Sequence, residues 1–350
     1  MSLVKAFVLS AAFLLTPVAT FAQTAQIQQA LDNFIRTNDL PGISVHADDG
    51  RAEINLAAGI ANLENNTQLE TSNRFYIASS GKMMVAVAIL SAVDEGLLDL
   101  DTLIWPLIGQ IEGIQHLKNA NKVTVRQLLN HTSGLAEYLS DGFVEESFET
   151  PSILWNADEA LSFAYGLAPQ FPPGTQFEYT NTNYVLLGFI LQKLDGSLQA
   201  SLQKRVFDKA DMKDTTTGAL PTDPSLARGY DAEGYDVSDQ AWASRLGDGP
   251  VVSTAKDLGK FGIALFRDRL LLRNSTLNAM LTGSRQENSY GLGMGIDGDR
   301  YGEWFGHAGS YDGYEADMRY YPQLKLVITY LTNGNGESSI LDNIMDDIVE

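Results

Sequence analysis

Residues 75–90 read FYIASSGKMMVAVAIL. A turn of small residues, from Ala78 to Gly81, leads into an apolar run that is rich in Ala, Met and Leu. Ser79 is a residue type preferred at helix N-caps, because its hydroxyl can accept hydrogen bonds from the free amides of a helix start. The stretch therefore predicts a buried helix from about residue 80 to residue 95, with Ser79 as its cap.

The spacing of Ser79 and Lys82 suggests chemistry as well as structure. Side chains three residues apart share one face of a helical turn. A hydroxyl beside an amine inside an apolar wall is one way to make a nucleophile, because the amine can accept the serine proton. The alternative is structural, a capping serine followed by a solvated lysine, since this spacing is common by chance. Lys82 is the only charge between Arg74 and Asp94, which favours the catalytic interpretation.

The first residues of the chain have the pattern of a secretory signal peptide. Lys5 supplies a positive charge, residues 6–15 form an apolar segment too short for a good membrane span, and Thr20-Phe21-Ala22 resembles a cleavage site. We therefore expect residues 1–22 to be removed. The remaining residues 23–350 are long enough for one large domain or two interleaved ones, exported to the periplasm or secreted, without a membrane anchor.

The composition excludes several classes of protein. The 350 residues include no cysteine, which excludes a disulfide framework, a cysteine nucleophile and thiolate metal sites. The formal net charge of −20 argues against nucleic acid and anionic membrane surfaces as partners, because these attract clustered Lys and Arg. No histidine or carboxylate group has metal-ligand spacing, so we expect neither a metal nor another cofactor.

Strand patterns occur towards both chain ends and helix patterns mostly between them. The predicted strands are 43–46, 52–56, 291–296, 303–307, 316–320 and 326–331, with hairpin turns at Asp49-Gly50 and Asp297-Gly298. The predicted helices include 26–36, 80–95, 124–134 capped by Thr124, 184–191, 252–266 and 340–349. His46 lies in a strand, where a structural or exposed role is favoured. His131 lies in the last turn of a helix, where a histidine commonly caps carbonyls.

These patterns predict an α+β fold. One sheet is built from both chain ends, about residues 26–95 and 245–350, with a helical insertion between them. The region of about 96–244 is mainly helical.

Three short motifs occur in order along the chain. They are Ser79-Ser80-Gly81-Lys82, Tyr179-Thr180-Asn181 and His307-Ala308-Gly309, which form the series S-x-x-K, Y-x-N and [KH]-x-G. Each alone has an ordinary structural explanation: a helix cap, a turn and a strand-end histidine. Together they resemble the penicillin-recognising serine hydrolases, which comprise class C β-lactamases, serine D-Ala-D-Ala carboxypeptidases, D-aminopeptidases and related esterases. The likeness implies a single β-lactamase/transpeptidase-like catalytic domain over residues 23–350. In such a domain an antiparallel sheet is flanked by helices and joined by a mainly helical subdomain, with the site between them.

The resemblance implies a role for the residues of each motif. Ser79 would be the nucleophile that forms an acyl-enzyme, and Lys82 and Tyr179 would share the acid–base work. Either of these two could be the general base. Asn181 would hold the acyl side-chain amide of the substrate. The backbone amides of Ser79 and Ser310 would form the oxyanion hole.

The third motif departs from the efficient β-lactamases of this family, which carry Lys-Thr-Gly where this chain has His307-Ala308-Gly309. By resemblance His307 and Gly309 belong to the substrate-binding wall, where glycine allows another chain to approach the strand edge. Lysine is a permanent charge that helps to hold a substrate carboxylate, whereas a histidine with an ordinary pKa near 6.5 is mostly neutral at pH 7. Strong β-lactamase activity is therefore not expected, although Arg285 is a candidate for the missing charge.

We therefore expect an exported serine hydrolase that acts through an acyl-enzyme on amide or ester bonds. Its substrate would be a small molecule or a peptide, with cell-wall peptides and β-lactams as candidates. A D-alanyl-D-alanine carboxypeptidase or another D-peptidase is the leading expectation. A small-acyl esterase and a weak class C-like β-lactamase are the enzyme alternatives. A non-catalytic binding protein with the same fold is the alternative from another class, and the presence of Ser79, Lys82 and Tyr179 argues against it.

Overall fold

A computed structural model describes residues 21–150, 155–218, 222–238 and 246–335, together with residues 345, 346, 348 and 349. The expected signal peptide lies outside the described residues up to residue 20, and most of the predicted closing helix lies outside them too. Within the described ranges, no helix is long and apolar enough to cross a membrane.

The strands form two antiparallel sheets. In chain order they are β1 (Gly42–Asp48), β2 (Glu53–Asn62), β3 (Thr67–Gln68), β4 (Phe75–Tyr76), β5 (Thr216–Thr217), β6 (Val251–Ser253), β7 (Gly295–Asp299), β8 (Gly302–Tyr311), β9 (Tyr314–Tyr321) and β10 (Leu326–Thr332). The larger sheet has the order β3-β2-β1-β10-β9-β8-β7, and the smaller one has the order β4-β6-β5. Strands from the two chain ends pair in the larger sheet, with Ile43 of β1 opposite Thr332 of β10. This confirms the predicted α+β fold.

The helices lie on both faces of the large sheet, and most of them occur between β4 and β6 along the chain. In chain order they are α1 (Phe21–Thr37), α2 (Lys82–Asp94), α3 (Trp105–Ile108), α4 (Val125–Leu129), α5 (Asp141–Glu149), α6 (Ala157–Ser162), α7 (Asn181–Asp195), α8 (Leu198–Leu202), α9 (Ala255–Gly262) and α10 (Asn274–Met280). Short 3-10 helices cover Ala78–Gly81, Ile114–His116 and Ala120–Lys122, and π-helical turns cover Gln203–Phe207 and Ile263–Arg267.

The strand β10 shows why the sheet needs helices on both sides. All seven of its residues are buried. Ile328 and Tyr330 belong to the core beneath α1, whereas Val327 and Leu331 join the core beneath α9. Successive side chains of a strand point to opposite faces, so a strand that is apolar throughout is stable only between two covered faces.

The helix α2 lies at the centre of the larger core. Every residue from Lys82 to Ala92 is buried. The apolar run in the sequence predicts this burial, because a helix that is hydrophobic all round has no face for water. A charged Lys82 at the start of such a helix is therefore costly unless polar groups surround it.

Several predicted boundaries are wrong for local reasons. Asp297 and Gly298 do not form a hairpin turn, because they pair with Trp304 and Glu303 inside the β7–β8 ladder. The predicted helix over 252–266 starts only at Ala255. The residues before it pair into the small sheet, and the Thr254 side chain caps α9 by accepting from the Asp257 amide.

The buried histidine His46 makes stability depend on pH. Its side chain in β1 is 1% exposed, and burial lowers its pKa from 6.5 to about 4. Between these values the unfolded chain binds a proton that the folded chain does not, so the free energy of unfolding falls as pH drops from about 6.5 to about 4. The loss attributable to His46 is about 3 kcal/mol.

The measurement is urea unfolding of the wild type and of His46→Gln at pH 7.5, 6, 5 and 4. The variant should lose less stability than the wild type over this range. His116→Gln, which replaces an exposed histidine, is the matched control and should retain the wild-type slope. Equal slopes for the wild type and His46→Gln would show that His46 does not contribute.

Candidate active site

Lys82 lies at the centre of a hydrogen-bonded cluster. Its side chain is completely buried, and its Nζ contacts Ser79 Oγ at 2.9 Å and Asn181 Oδ1 at 2.7 Å. A third contact joins Nζ to the backbone oxygen of Asp248 at 2.7 Å. Three acceptors match the three hydrogens of an ammonium group. The structure therefore brings the first two sequence motifs together around one amine.

Ser79 does not cap the helix, contrary to the prediction. It lies in the 3-10 turn Ala78–Gly81, and neither this turn nor α2 has an N-cap hydrogen bond from a side chain. Ala78 has a φ of 46°, in the left-handed region that L-residues adopt at a cost. The turn leaves the Ser79 hydroxyl free of the helix amides and within reach of Lys82.

The third motif lies within β8 rather than at the end of a strand. The strand β7 pairs only with residues 302–306 of β8, so β7 does not cover the edge from His307 onward. This part of β8 lies against the Ser79 turn, where Ser80 Oγ donates to the His307 oxygen at 2.7 Å. A Cβ on Gly309 would lie 2.8 Å from the Ser79 nitrogen, and only glycine permits so close an approach.

Replacing Gly309 with alanine should therefore disrupt the site. The added methyl would also lie 2.2 Å from the Ile77 oxygen, and backbone on both sides leaves little room to relax. We expect the rate of Ser79 labelling by a fluorophosphonate to fall by about tenfold or more, the scale of 1–3 kcal/mol of overpacking. Gly298→Ala is the control, because the nearest atom to its added Cβ is 3.4 Å away. Equal labelling rates for both variants would contradict the close approach.

Tyr179 lies in the loop before α7, against the ring of His131. The two ring centroids are 4.2 Å apart and the planes are inclined by 29°. His131 also holds the backbone of this loop, because its oxygen accepts from the Glu178 amide at 3.0 Å and its Nδ1 accepts from the Thr180 amide at 3.2 Å. The Tyr179 hydroxyl is buried and has no hydrogen-bond partner in the part of the chain that the structure describes.

His131 is not a carbonyl-capping residue at the end of a helix, as its position in the sequence predicts. The helix α4 ends at Leu129, and His131 follows it with a φ of 56° and a completely buried side chain. Burial, helped by the charge of Lys82, holds the pKa of His131 well below 6.5. Since Nδ1 accepts from an amide, the neutral ring carries its hydrogen on Nε2. His131 therefore orients Tyr179 without adding charge.

Asn181 is the first residue of α7, and its side chain is held from two sides. Its Oδ1 accepts from Lys82, as above, and its Nδ2 donates to Glu137 Oε2 at 3.3 Å. The same Glu137 oxygen accepts from the Asn181 backbone amide at 2.6 Å. These contacts fix which way the Asn181 amide points.

The His307 ring is hydrogen-bonded through both of its nitrogens. Its Nδ1 lies 2.5 Å from the Ala308 oxygen and its Nε2 lies 3.1 Å from the Tyr290 hydroxyl. A carbonyl only accepts, so Nδ1 carries a hydrogen, and in the neutral ring Nε2 then accepts from the Tyr290 hydroxyl. Burial, and after it the charge of Lys82, lowers the pKa of His307 to about 4, against the ordinary value near 6.5 assumed from the sequence. Arg285 is exposed and lines neither of the clefts described next.

Two clefts meet at Ser79, Tyr179 and Ser310. The β8 cleft, of about 390 Å³, is lined by Ser79, Tyr179, His307, Ala308, Gly309, Ser310, Glu315, Ala316 and Tyr330. The α5 cleft, of about 300 Å³, is lined by Ser79, Leu139, Val144, Phe148, Tyr179, Asn181, Asp248, Ser310, Tyr311 and Asp312. Among the described residues that line them, neither cleft has a lysine or an arginine. The proposed oxyanion-hole residues Ser79 and Ser310 thus lie where the clefts join.

Four residues near the site were missed or undervalued by the sequence reasoning. They are His131, Glu137, Asp248 and Tyr290. The first two follow α4 in the segment HTSGLAEY, whose polar residues are more numerous than a helix end requires. Asp248 stands between two glycines, Gly247 and Gly249, which is the only signal that it offers.

The sequence is similar to a known family and to curated penicillin-binding proteins. The family model described as Beta-lactamase matches residues 27–347. "Penicillin-binding protein 4*" of Bacillus subtilis (strain 168) is 26% identical over 331 residues, which cover 88% of this chain and 71% of that protein. "Penicillin-binding protein 4" of Amycolatopsis lactamdurans is 26% identical over 352 residues, covering 93% and 89%.

Solved structures with this fold include D-stereospecific enzymes. A D-stereospecific amidohydrolase from Streptomyces sp. superposes with a TM-score of 0.78 at 26% identity, covering 94% of this chain and 98% of that one. A D-amino acid amidase from Ochrobactrum anthropi SV3, complexed with L-phenylalanine amide, superposes with a TM-score of 0.77 at 27% identity, covering 94% and 97%.

Proposed function

This chain belongs to the beta-lactamase family of serine hydrolases, and from that premise we propose that it is a D-stereospecific amidohydrolase whose leaving group is uncharged. One observation carries the proposal. The β8 cleft, on the side of the third motif, holds a neutral His307 and the carboxylate of Glu315, with no lysine or arginine among the described residues that line it. A leaving group that ends in a carboxylate would find no cation among these described residues. Ammonia or a neutral amine needs none.

The proposed reaction begins with attack of Ser79 Oγ on the substrate carbonyl. The C–O bond to Ser79 forms while Tyr179 takes the serine proton. Tyr179 accepts this proton as the phenolate, and the ammonium of Lys82, 5.1 Å from the Tyr179 ring centroid, stabilises that negatively charged form before the transfer. The amides of Ser79 and Ser310 hold the carbonyl oxygen as it becomes negative.

The second half releases both products. The C–N bond breaks as Tyr179 returns the proton to the leaving nitrogen, and the acyl group remains on Ser79. Water then attacks the acyl-enzyme, with Tyr179 taking a proton from the water and giving it to the departing Ser79 oxygen. The named enzymes among the structural neighbours, a D-stereospecific amidohydrolase and a D-amino acid amidase, support this assignment.

The test is a hydrolysis panel with purified protein. It compares D-phenylalanine amide, L-phenylalanine amide, a D-Ala-D-Ala peptide, nitrocefin and a p-nitrophenyl ester. The proposal expects the D-amide to have the highest kcat/KM among the amides and the peptide. Faster turnover of the D-Ala-D-Ala peptide than of the D-amide would overturn it.

A D-alanyl-D-alanine carboxypeptidase, the leading expectation from the sequence, is the second candidate. The curated relatives favour it, since those at 26% identity are named penicillin-binding proteins. Such an enzyme must hold a terminal carboxylate, and the same panel separates it from an amidase.

His307→Lys should shift the substrate preference of the site towards substrates that bear a carboxylate. Because the pKa of His307 is about 4, the ring stays neutral above about pH 5, and penicillin acylation should show no loss through pH 6.5 that depends on His307. A charge-dependent contribution of the ring would appear only as pH falls towards about 4. A lysine adds a permanent cation, so acylation by penicillins should rise by about tenfold or more, the value of one hydrogen bond to a charged group.

The measurement is the acylation rate of a penicillin and of a small neutral ester between pH 4 and pH 8 in both proteins. The neutral ester should change much less than the penicillin. If the substitution changes the acylation rates of both substrates by the same factor, the residue at position 307 does not bind a substrate carboxylate.

We also propose that the protein is exported, on the basis of the positive Lys5, the apolar residues 6–15 and the cleavage pattern at residues 20–22. Protein recovered from the periplasm or the medium should begin at Gln23. Recovery of chains that retain residues 1–22 in the cytoplasm would contradict export.

A further inference from the structure

The α5 cleft contains a buried carboxylate that the reaction described above does not use. Asp248 is 4% exposed and lines this cleft next to Ser79. Its Oδ2 accepts from the Tyr138 hydroxyl at 2.7 Å. Its Oδ1 is buried and has no hydrogen-bond partner in the part of the chain that the structure describes. A buried carboxylate oxygen without a hydrogen bond costs folding free energy, and a bound ligand that donates to it would remove this cost.

The remaining wall of the α5 cleft limits what that ligand can be. Leu139, Val144 and Phe148 form an apolar side, and Phe148 is 45% exposed at the surface. Asp312 adds a second carboxylate at the rim. With two acids and no lysine or arginine among its described lining residues, the cleft is complementary to a group that is apolar at one end and cationic at the other.

We propose that Asp248 binds the ammonium group of the substrate's acyl part, so that the enzyme acts on amides with a free α-amino group. This inference rests on the proposed function, which it deepens by naming the substrate class. In an α-amino acid amide the ammonium is attached one carbon away from the reacting carbonyl. With that carbonyl at Ser79, the ammonium lies on the α5 side and donates to Asp248 Oδ1, while the apolar side chain lies along Leu139 and Phe148.

The charges around Asp248 permit this role. Burial raises the pKa of its carboxyl to about 6, opposed by Lys82 and by the Tyr138 hydrogen bond. Glu137 is the other nearby acid, and Tyr311 is a further neighbour whose own pKa is raised by burial. Asp248 is therefore ionised at pH 7 and above. The Lys82 ammonium contacts the backbone oxygen of Asp248, and its three hydrogen bonds leave Oδ1 for another donor.

The main experiment compares two substrates that differ only in what the α-nitrogen carries. D-phenylalanine amide has a free ammonium group, and N-acetyl-D-phenylalanine amide does not. In Asp248→Asn, kcat/KM for the free amine should fall by about ten- to a hundredfold, the scale of a hydrogen bond between charged groups, with less than about threefold change for the N-acetyl amide. Asp312→Asn removes a charge from the exposed rim of the same cleft and should shift the ratio of the two substrates much less.

A binding measurement keeps the test independent of turnover. Calorimetry measures the binding of 2-phenylethylamine and of its uncharged counterpart, 2-phenylethanol. Asp248→Asn should weaken the affinity for the amine only, again by about tenfold or more. Fluorophosphonate labelling of Ser79 counts the folded sites in each variant.

The outcomes separate the two proposals. If the wild type hydrolyses neither amide but binds the amine through Asp248, the proposed function fails and the ammonium site stands. If Asp248→Asn lowers kcat/KM for both amides equally, or binds the amine and the alcohol as the wild type does, the ammonium site is overturned.

Discussion

Ser79→Ala is expected to abolish covalent labelling by a fluorophosphonate and the turnover of every substrate. The reason is geometric. Ser79 Oγ is the hydroxyl that contacts Lys82 Nζ, at 2.9 Å, and it lies where the two clefts meet. Removing the nucleophile of an acyl-enzyme mechanism typically costs several orders of magnitude in kcat, which leaves at most a trace of activity.

Ser80→Ala is the matched control for this prediction. Ser80 is the neighbouring serine in the same turn, but its Oγ donates to the His307 backbone oxygen in β8. Its loss should lower stability, by about 1 kcal/mol for one hydrogen bond, and should leave Ser79 labelling measurable. Mass spectrometry of the labelled peptide distinguishes the two serines. Retention of full activity in Ser79→Ala, with inactivation in Ser80→Ala, would refute the assignment.

Lys82→Met should slow acylation by about a hundredfold or more, the scale of a positioned acid–base group. Methionine preserves the apolar packing of α2 but removes all three hydrogen bonds of Nζ. Asn181 Oδ1 then lacks a donor, and Tyr179 loses the cation beside its ring. The substitution should therefore lower the rate of the chemical step, acylation, and not substrate binding. The loss should be larger for an amide than for an activated p-nitrophenyl ester, since the amide nitrogen needs a proton to leave.

Single-turnover acylation of the variant by both substrates measures this difference. Lys193→Met is the control, because Lys193 is a surface lysine that donates to the Leu107 backbone oxygen. That variant should acylate at the wild-type rate. An acylation rate for Lys82→Met within a few fold of the wild type would show that the amine has no part in the reaction.

The local parts of this structure follow from short stretches of sequence. The apolar run after Lys82 predicts a buried helix, and α2 is buried from Lys82 to Ala92. Thr124 is predicted as an N-cap, and it forms a capping box with Gln127 in the structure. The order of the three motifs predicts which residues meet, because a shared pattern over the whole chain implies a shared fold. Contacts within one turn of the chain need no knowledge of the rest.

Boundaries were harder to predict where tertiary pairing competes with local preference. Val252 and Ser253 have the sequence of a helix start, but they pair with β4 and β5. Ser79 has the chemistry of a cap, but the approach of Gly309 from β8 accompanies a tighter 3-10 turn. In both places the competing partner lies far away along the chain, so no window of sequence contains it.

The sequence alone was enough to predict that a serine, a lysine and a tyrosine form a hydrolase site on an α+β fold. Only the tertiary structure showed that Asp248, 166 residues from Lys82, lies against that site with an unpartnered oxygen. It also decided that the pKa of His307 is lowered to about 4, because a pKa depends on the water that surrounding residues exclude and on the charge of Lys82 nearby. Residue identity and local spacing can be taken directly from the sequence, whereas burial and electrostatic environment exist only once distant segments have packed together.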